Sequence, residues 1–413
     1  MSAVIHRRLG RRAAFAAVAF ALAVAMLGTT LPTPLYDLYR ARFGFSELTV
    51  TVVFAIYAAG VIGSLLVFGH TSDEIGRRRT LLAALALSAL SAVTFLLATG
   101  LTTLVIARVV SGLSAGVFTG TATATLLDLA PVERRPRAAF AATVANMAGL
   151  GFGALSAGLV SQWLGSPLRT TYWLDLALLI PAAIGIWLIP EPIAHTTKLR
   201  LRPQLPSIPP PARPSFVQAA IGVFAGFAVI GLFTGVTAAF LSKELGITSR
   251  AAIGLVVFAF FAAATLGQAL LDRLPNRTAL PAGCVLLIAG MASLAVGLAM
   301  SSLALFVLGG LAAGLGQGIS FRAGMTAVTG ESPPERRAET VSALFVVAYV
   351  ALALPVVGEG VLADAIGLEP AGLVFAAAVA GLGGVALAML RRRHEPELRQ
   401  PRRRGVAASA RLR

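Results

Sequence analysis

Long apolar runs broken by short polar interruptions fill most of this chain, and each run is close to the 20 or so residues that a helix needs to cross a bilayer. Marking the runs predicts twelve spans: 13–36, 47–68, 80–98, 101–129, 138–164 and 171–189, then 215–241, 250–271, 279–299, 303–329, 338–360 and 371–390. The longest polar interruption, 190–214, carries Pro203, Pro206, Pro209, Pro210 and Pro211, which favour an extended linker over a helix. It divides the spans six and six. The expected organisation is a cytoplasmic N-terminus (1–12), an N-terminal six-helix bundle (13–189), a cytoplasmic linker (190–214), a C-terminal six-helix bundle (215–390) and a basic cytoplasmic tail (391–413).

Composition agrees with the pattern. Of the 413 residues, 57% are hydrophobic and only 13% charged, where soluble domains carry about 25% charged residues. The net charge of +16 would suggest nucleic acid in a soluble protein, but here the basic residues lie between the apolar runs and in the tail. Residues 391–413 hold nine Arg against Glu395 and Glu397, and this tail is expected to lie along anionic membrane lipid rather than nucleic acid. Of the 34 Lys and Arg, 27 fall on the N-terminal side of alternate spans. Five (Arg40, Arg42, Arg169, Lys243 and Arg250) fall on the other side, and Arg108 and Arg322 lie within spans. The positive-inside rule then places both termini in the cytoplasm. His6-Arg7-Arg8-Leu9-Gly10-Arg11-Arg12 and the Ala-rich run after it look like a signal peptide, but the run continues to Pro32 and reads as a first span. Cys284 is the only cysteine, so no intrachain disulfide forms.

The halves repeat one another. Gly112, Gly116, Pro131, Glu133, Arg134 and Arg135 recur 202 positions later as Gly314, Gly318, Pro333, Glu335, Arg336 and Arg337. Asp73 and Arg78 recur more faintly as Asp272 and Arg277, without the neighbouring glycines.

The interruption after the second span reads Gly69-His70-Thr71-Ser72-Asp73-Glu74-Ile75-Gly76-Arg77-Arg78-Arg79. Its glycines permit a tight turn, Asp73 can pair with Arg77 one helical turn on, and the three Args anchor it on one side of the membrane. Twelve spans in two halves, a long central linker and a G-x-x-x-D-x-x-G-R-R-R turn at this address together resemble the major facilitator superfamily of secondary transporters. The resemblance covers residues 13–390. It implies an all-α membrane protein with two pseudo-symmetric six-helix bundles, and a gating loop made of Gly69, Asp73, Gly76, Arg77 and Arg78 with Asp128 at the end of the fourth span. An Asp73–Arg77–Asp128 cluster is expected to hold the cytoplasmic side shut and to break on inward opening.

Arg108 lies seven residues into the fourth span, roughly 10 Å deep, where exposure to lipid would cost a few kcal/mol or more. It therefore faces a cavity or a partner. Gly112 and Gly116 follow one and two turns on, and the group resembles the family's fourth-helix motif, whose Arg is associated with proton coupling. Asp37, beyond Pro32 and Pro34 at the outer end of the first span, is the candidate carboxylate of the same proton or substrate pathway. Asp175, Arg322 and Glu359 are read as interfacial, with Asp175 beside Arg169. Drug–proton antiporters of the family carry Gly-Pro and Gly-Gly pairs in the fifth span. The matching places here read Gly153-Ala154 and Ala157-Gly158, without the proline. Further polar candidates for a cavity are few (Asn146, Gln218, Thr234, Thr237, Gln268, Gln317, Tyr349), and Phe224, Phe227, Phe233 and Phe240 mark the seventh span.

The chain lacks H-E-x-x-H, a His/Cys cluster and G-x-x-x-x-G-K-[ST], so an enzyme, a metal site, a cofactor and nucleotide-driven pumping are not expected. The expected function is proton-coupled export of a hydrophobic or amphipathic small molecule by alternating access, by a monomer in a bacterial cytoplasmic membrane. Uptake of a small metabolite by symport or uniport is the alternative. A receptor or scaffold that transports nothing is a third reading, against which the buried charge of Arg108 argues.

Overall fold

The computed structural model describes residues 9–68, 71–192, 207–273 and 275–398. Gly69, most of the 190–214 linker and the basic tail beyond Leu398 lie outside these residues, as do the side chains of Asp272 and Arg277. Twelve described helices are long and apolar enough to cross a membrane: α1 Arg11–Thr30, α2 Glu47–Phe68, α3 Arg77–Leu96, α4 Leu101–Leu129, α5 Arg135–Trp163, α6 Pro167–Leu188, α7 Arg213–Gly235, α8 Arg250–Leu270, α9 Asn276–Ala299, α10 Leu303–Glu331, α11 Arg337–Ile366 and α12 Leu368–Leu398.

Within a bilayer a helix satisfies its own backbone groups, so the apolar runs form helices wherever the chain crosses. Ends are set locally. The Ser249 and Ser302 hydroxyls accept from the N–H groups of Ala252 and Leu305 and cap α8 and α10. Pro131 and Pro333 each lead through a 3₁₀ turn (Val132–Arg134 and Pro334–Arg336) into α5 and α11, so the 202-residue repeat read from the sequence is also a repeat of backbone.

Helix packing shows the same symmetry. In the first half α1 packs on α4, α5 and α6, α2 on α4, and α3 on α4 and α6; in the second, α7 packs on α10, α11 and α12, α8 on α10, and α9 on α10 and α12. The halves meet along two seams that are themselves equivalent, α5 against α8 and α2 against α11. This is an all-α membrane fold of two pseudo-symmetric six-helix bundles.

The structure departs from the predicted spans where α1 and α7 end. The first run breaks at Pro32 into a 3₁₀ turn, Thr33–Leu35, and a short helix, Tyr36–Phe43. The seventh breaks at Val236 with no proline to signal it, then continues as Thr237–Ala239 and a π turn, Phe240–Glu244. These broken ends lie opposite one another across the junction between the halves. α11 extends six residues beyond the predicted end at 360, which carries Glu359 almost two turns inside the helix.

Candidate functional site

Between the halves lies a cavity of about 350 Å³. Its middle is lined by Thr29, Phe54, Tyr57, Arg108, Asn146, Phe227, Thr234, Phe261 and Tyr349. From there the lining continues through Thr123 near the end of α4, Ala139 near the start of α5, Met325 near the end of α10 and Val341 near the start of α11. The cavity therefore reaches toward the end of the molecule that carries Arg77–Arg79, Arg134–Arg137 and Arg336–Arg337, here called the basic end.

The opposite end is sealed by contacts between the halves. Thr33 Oγ1 donates to the Thr234 carbonyl at 2.9 Å, and Ser242 Oγ donates to Asp37 Oδ2 at 2.9 Å. Glu47 binds both Arg40 and Lys243. The Arg250 N–H donates to Gln162 Oε1 at 3.0 Å and its Nη1 to the Ser161 carbonyl at 3.2 Å. Glu359 is buried in the α2/α11 seam, with both carboxylate oxygens lacking a hydrogen-bond partner, and a Cβ on its neighbour Gly360 would strike Thr51. It is not interfacial as the sequence suggested, because α11 continues past it.

Arg108 is 1% exposed and lines the cavity. Its Nη1 donates to the Thr29 carbonyl at 2.9 Å and its Nη2 to the Phe54 carbonyl at 3.4 Å, while its guanidinium carbon lies 4.8 Å from the centre of the Tyr57 ring and 5.5 Å from that of Phe54. Thr29 sits in the last turn of α1, where backbone carbonyls lack intrahelical donors and the helix dipole is negative. Backbone oxygens and ring faces thus hold the guanidinium, with no carboxylate within 4 Å among the described residues.

Gly112 and Gly116 do not line the cavity but bring α2 against α4. A Cβ on Gly112 would fall on the Tyr57 carbonyl and 3.0 Å from the Gly60 Cα, and one on Gly116 would strike Ser64. This close approach places Tyr57 and Phe54 beneath Arg108. Gly314 and Gly318 press α10 onto Phe260 and Ala264 of α8 in the same way.

At the basic end, residues Thr71–Ile75 form one short helix, and Gly76 turns the chain into α3 with φ of +100°, a conformation that glycine adopts without strain. Asp73, Arg77 and Asp128 come together: Arg77 Nη1 is 2.6 Å from Asp73 Oδ1, and its Nε donates to Asp128 Oδ2 at 3.1 Å. Arg78 turns away, donating to the Trp187 carbonyl at 3.5 Å. The sequence reading missed Glu191, whose carboxylate accepts from the N–H groups of Arg77 at 2.7 Å and Arg78 at 3.1 Å and so caps α3. Both carboxylates that pair with Arg77 belong to the first half, and Glu191 follows it at the start of the linker. The cluster is intact in this structure, in which the cavity lining reaches toward the same end.

Asp37 is not in the cavity. It lies at the sealed end, bonded to Ser242 and 4.0 Å from Arg40 Nε. Asp175 is buried against Gly28 of α1 rather than paired with Arg169, and its Oδ1 has no hydrogen-bond partner. Arg322 Nη1 donates to the Gln268 carbonyl at 2.5 Å, and its guanidinium carbon lies 5.8 Å from the centre of the Phe140 ring in the other half.

A cavity between two six-helix halves, sealed at one end, is the architecture of a membrane transporter rather than an enzyme. The chain belongs to the Major Facilitator Superfamily, whose family model matches residues 14–300 and 219–412. Among solved structures it is similar to the human organic anion transporter MFSD10 (TETRAN), with 17% identity over 93% of this chain and 100% of that one and a TM-score of 0.64. It is also similar to a bacterial homologue of the human lysosomal transporter Spinster in an inward-facing, unoccupied conformation, with 17% identity over 95% of this chain and 99% of that one and a TM-score of 0.68. Solute carrier family 22 member 7 of Rattus norvegicus is 30% identical over 159 residues, which span 38% of this chain and 28% of that relative.

Proposed function

We propose that this protein exports an amphipathic small molecule across a bacterial cytoplasmic membrane by proton-coupled alternating access, with its basic end in the cytoplasm. The observation that carries this reading is the central cavity, which reaches toward one end and is sealed at the other. Such a site is exposed to each side in turn when the halves rock. The basic end is the cytoplasmic one by the positive-inside rule, which makes the present state inward-facing. The two halves, 13–189 and 215–390, are the rocking bodies, and a monomer provides the whole path. The first-half cluster of Asp73, Arg77 and Asp128 stiffens the gating loop. Arg108 is the charged group of the pathway, and Asp37 acts at its outer gate rather than inside it.

The lining is mostly aromatic, aliphatic and threonine, which suits an amphipathic molecule better than a sugar. Uptake is favoured by one observation: α5 runs unbroken from Arg135 to Trp163, without the proline of the antiporter motif. Inside-out vesicles containing the protein, given a fluorescent amphipathic dye, separate the two directions. Export predicts accumulation when the vesicle interior is acidic and loss of accumulation when the gradient is collapsed. Flux in the opposite direction identifies uptake.

A further inference from the structure

Among the described residues, Arg108 is the only charged one lining the cavity. Around a buried cation a protein usually supplies a carboxylate, because the desolvation cost is otherwise large. Here the guanidinium has two carbonyl oxygens and two ring faces, and its Nε, buried with the rest of the side chain, has no acceptor. Carbonyls and rings offset part of the cost but leave the net charge in place. Within the same cavity Phe227, Phe261, Phe321, Phe345 and Tyr349 offer aromatic surface from the second half. The site thus presents one positive charge from the first half and an apolar wall from the second.

The geometry points to an amphipathic organic monoanion as the substrate, its carboxylate or sulfonate set against Arg108 and its apolar body against the aromatic wall. This rests on the transport reading above and adds the sign of the charge. A neutral hydrophobe would leave the cation without a counter-ion, and an organic cation would be repelled by it. An anion completes the ion pair and touches both halves at once, so binding is linked to their relative position.

The test compares three probes of one shape, 2-naphthaleneacetate, its neutral amide and 2-naphthylethylamine, on the purified full chain. Nanodiscs of phosphatidylcholine alone exclude an anionic lipid headgroup as the occupant. Thermal stabilisation reports binding, and counterflow in proteoliposomes of the same lipid reports transport. Wild-type protein is expected to bind the acid roughly 10- to 100-fold more tightly than the amide, the range of a charge-assisted hydrogen bond, and the amine least. Arg108→Gln should abolish the preference for the acid, and Arg108→Lys should keep part of it. Equal binding of acid and amide by wild-type protein overturns the inference, and this comparison needs no variant to fold. So does a preference for the acid that survives in Arg108→Gln. Transport of neutral or cationic dyes with no response to the acid refutes the anion and leaves the transport reading standing. Failure to move any compound of any charge refutes both.

Discussion

At the sealed end Glu47 joins Arg40 of its own half to Lys243 of the other, whereas at the basic end Arg77 joins Asp73 and Asp128 of a single half. An ion pair that crosses the junction is broken when the halves rock, so its free energy enters the balance between conformations. A pair confined to one half travels with that half and sets only its local stability. The two ends therefore use the same side-chain chemistry for different purposes. On the transport reading proposed above, conformational preference is expected to respond more to the sealed end than to the charged turn that the sequence makes most conspicuous.

Replacing Glu47 should have the largest effect on that contrast. Glu47→Ala leaves Arg40 and Lys243 facing each other without their shared carboxylate, and is expected to shift the population toward opening of the sealed end by about tenfold, or about 1.4 kcal/mol. Thr234→Cys, with its side chain on the cavity wall, reports this through its reaction with a membrane-impermeant thiol reagent added on the sealed side. The native Cys284 is buried and stays silent. Unchanged labelling would show that Glu47 does not seal.

Arg77→Ala comes next. Loss of a partly buried pair is expected to cost about 1 kcal/mol and lower the melting temperature by about 2 °C, with labelling of Thr234→Cys from the sealed side unchanged. Increased labelling would mean that the turn acts across the halves after all. Asp73→Asn, at an exposed partner, should reduce transport two- to threefold or less with membrane expression intact. The smallest effect belongs to Asp37→Asn. Its amide oxygen can still accept from Ser242, so transport should keep its proton dependence and change less than twofold. Abolished proton dependence would return Asp37 to the pathway.

The twelve spans were legible because the bilayer demands long apolar runs, and Arg108 because so costly a charge needs a reason to be there. The Asp73–Arg77 pair followed from its four-residue spacing. Other features depend on helix depth or on the facing partner, which one sequence does not record. Glu191 caps α3 from beyond the end of α6, more than a hundred residues away in sequence. Asp175 and Glu359 seemed interfacial only because α6 and α11 begin or end beyond their apolar runs. Of the four phenylalanines singled out on the seventh span, only Phe227 lines the cavity; Phe233 stacks on Phe260 at 4.5 Å and Phe240, in the π turn beyond α7, packs near Phe306. α7 is enclosed on almost every side, so hydrophobic periodicity could not indicate which face would meet the substrate.

The α5/α8 seam has a mechanical consequence. A Cβ on Gly158 would fall on the Arg250 carbonyl and lie 3.2 Å from the Gly254 Cα, and one on Gly254 would meet the Ala154 carbonyl. Two backbones bear on each other there, close to the sealed end, with no side chains between them to compress. Such a contact behaves as a fulcrum placed near one end of a lever. α5, with 29 residues, is about 40 Å long, so a small rotation at Gly158 sweeps a much larger arc at the basic mouth than at the seal. Opening and closing would then be unequal movements, wide on one face and slight on the other.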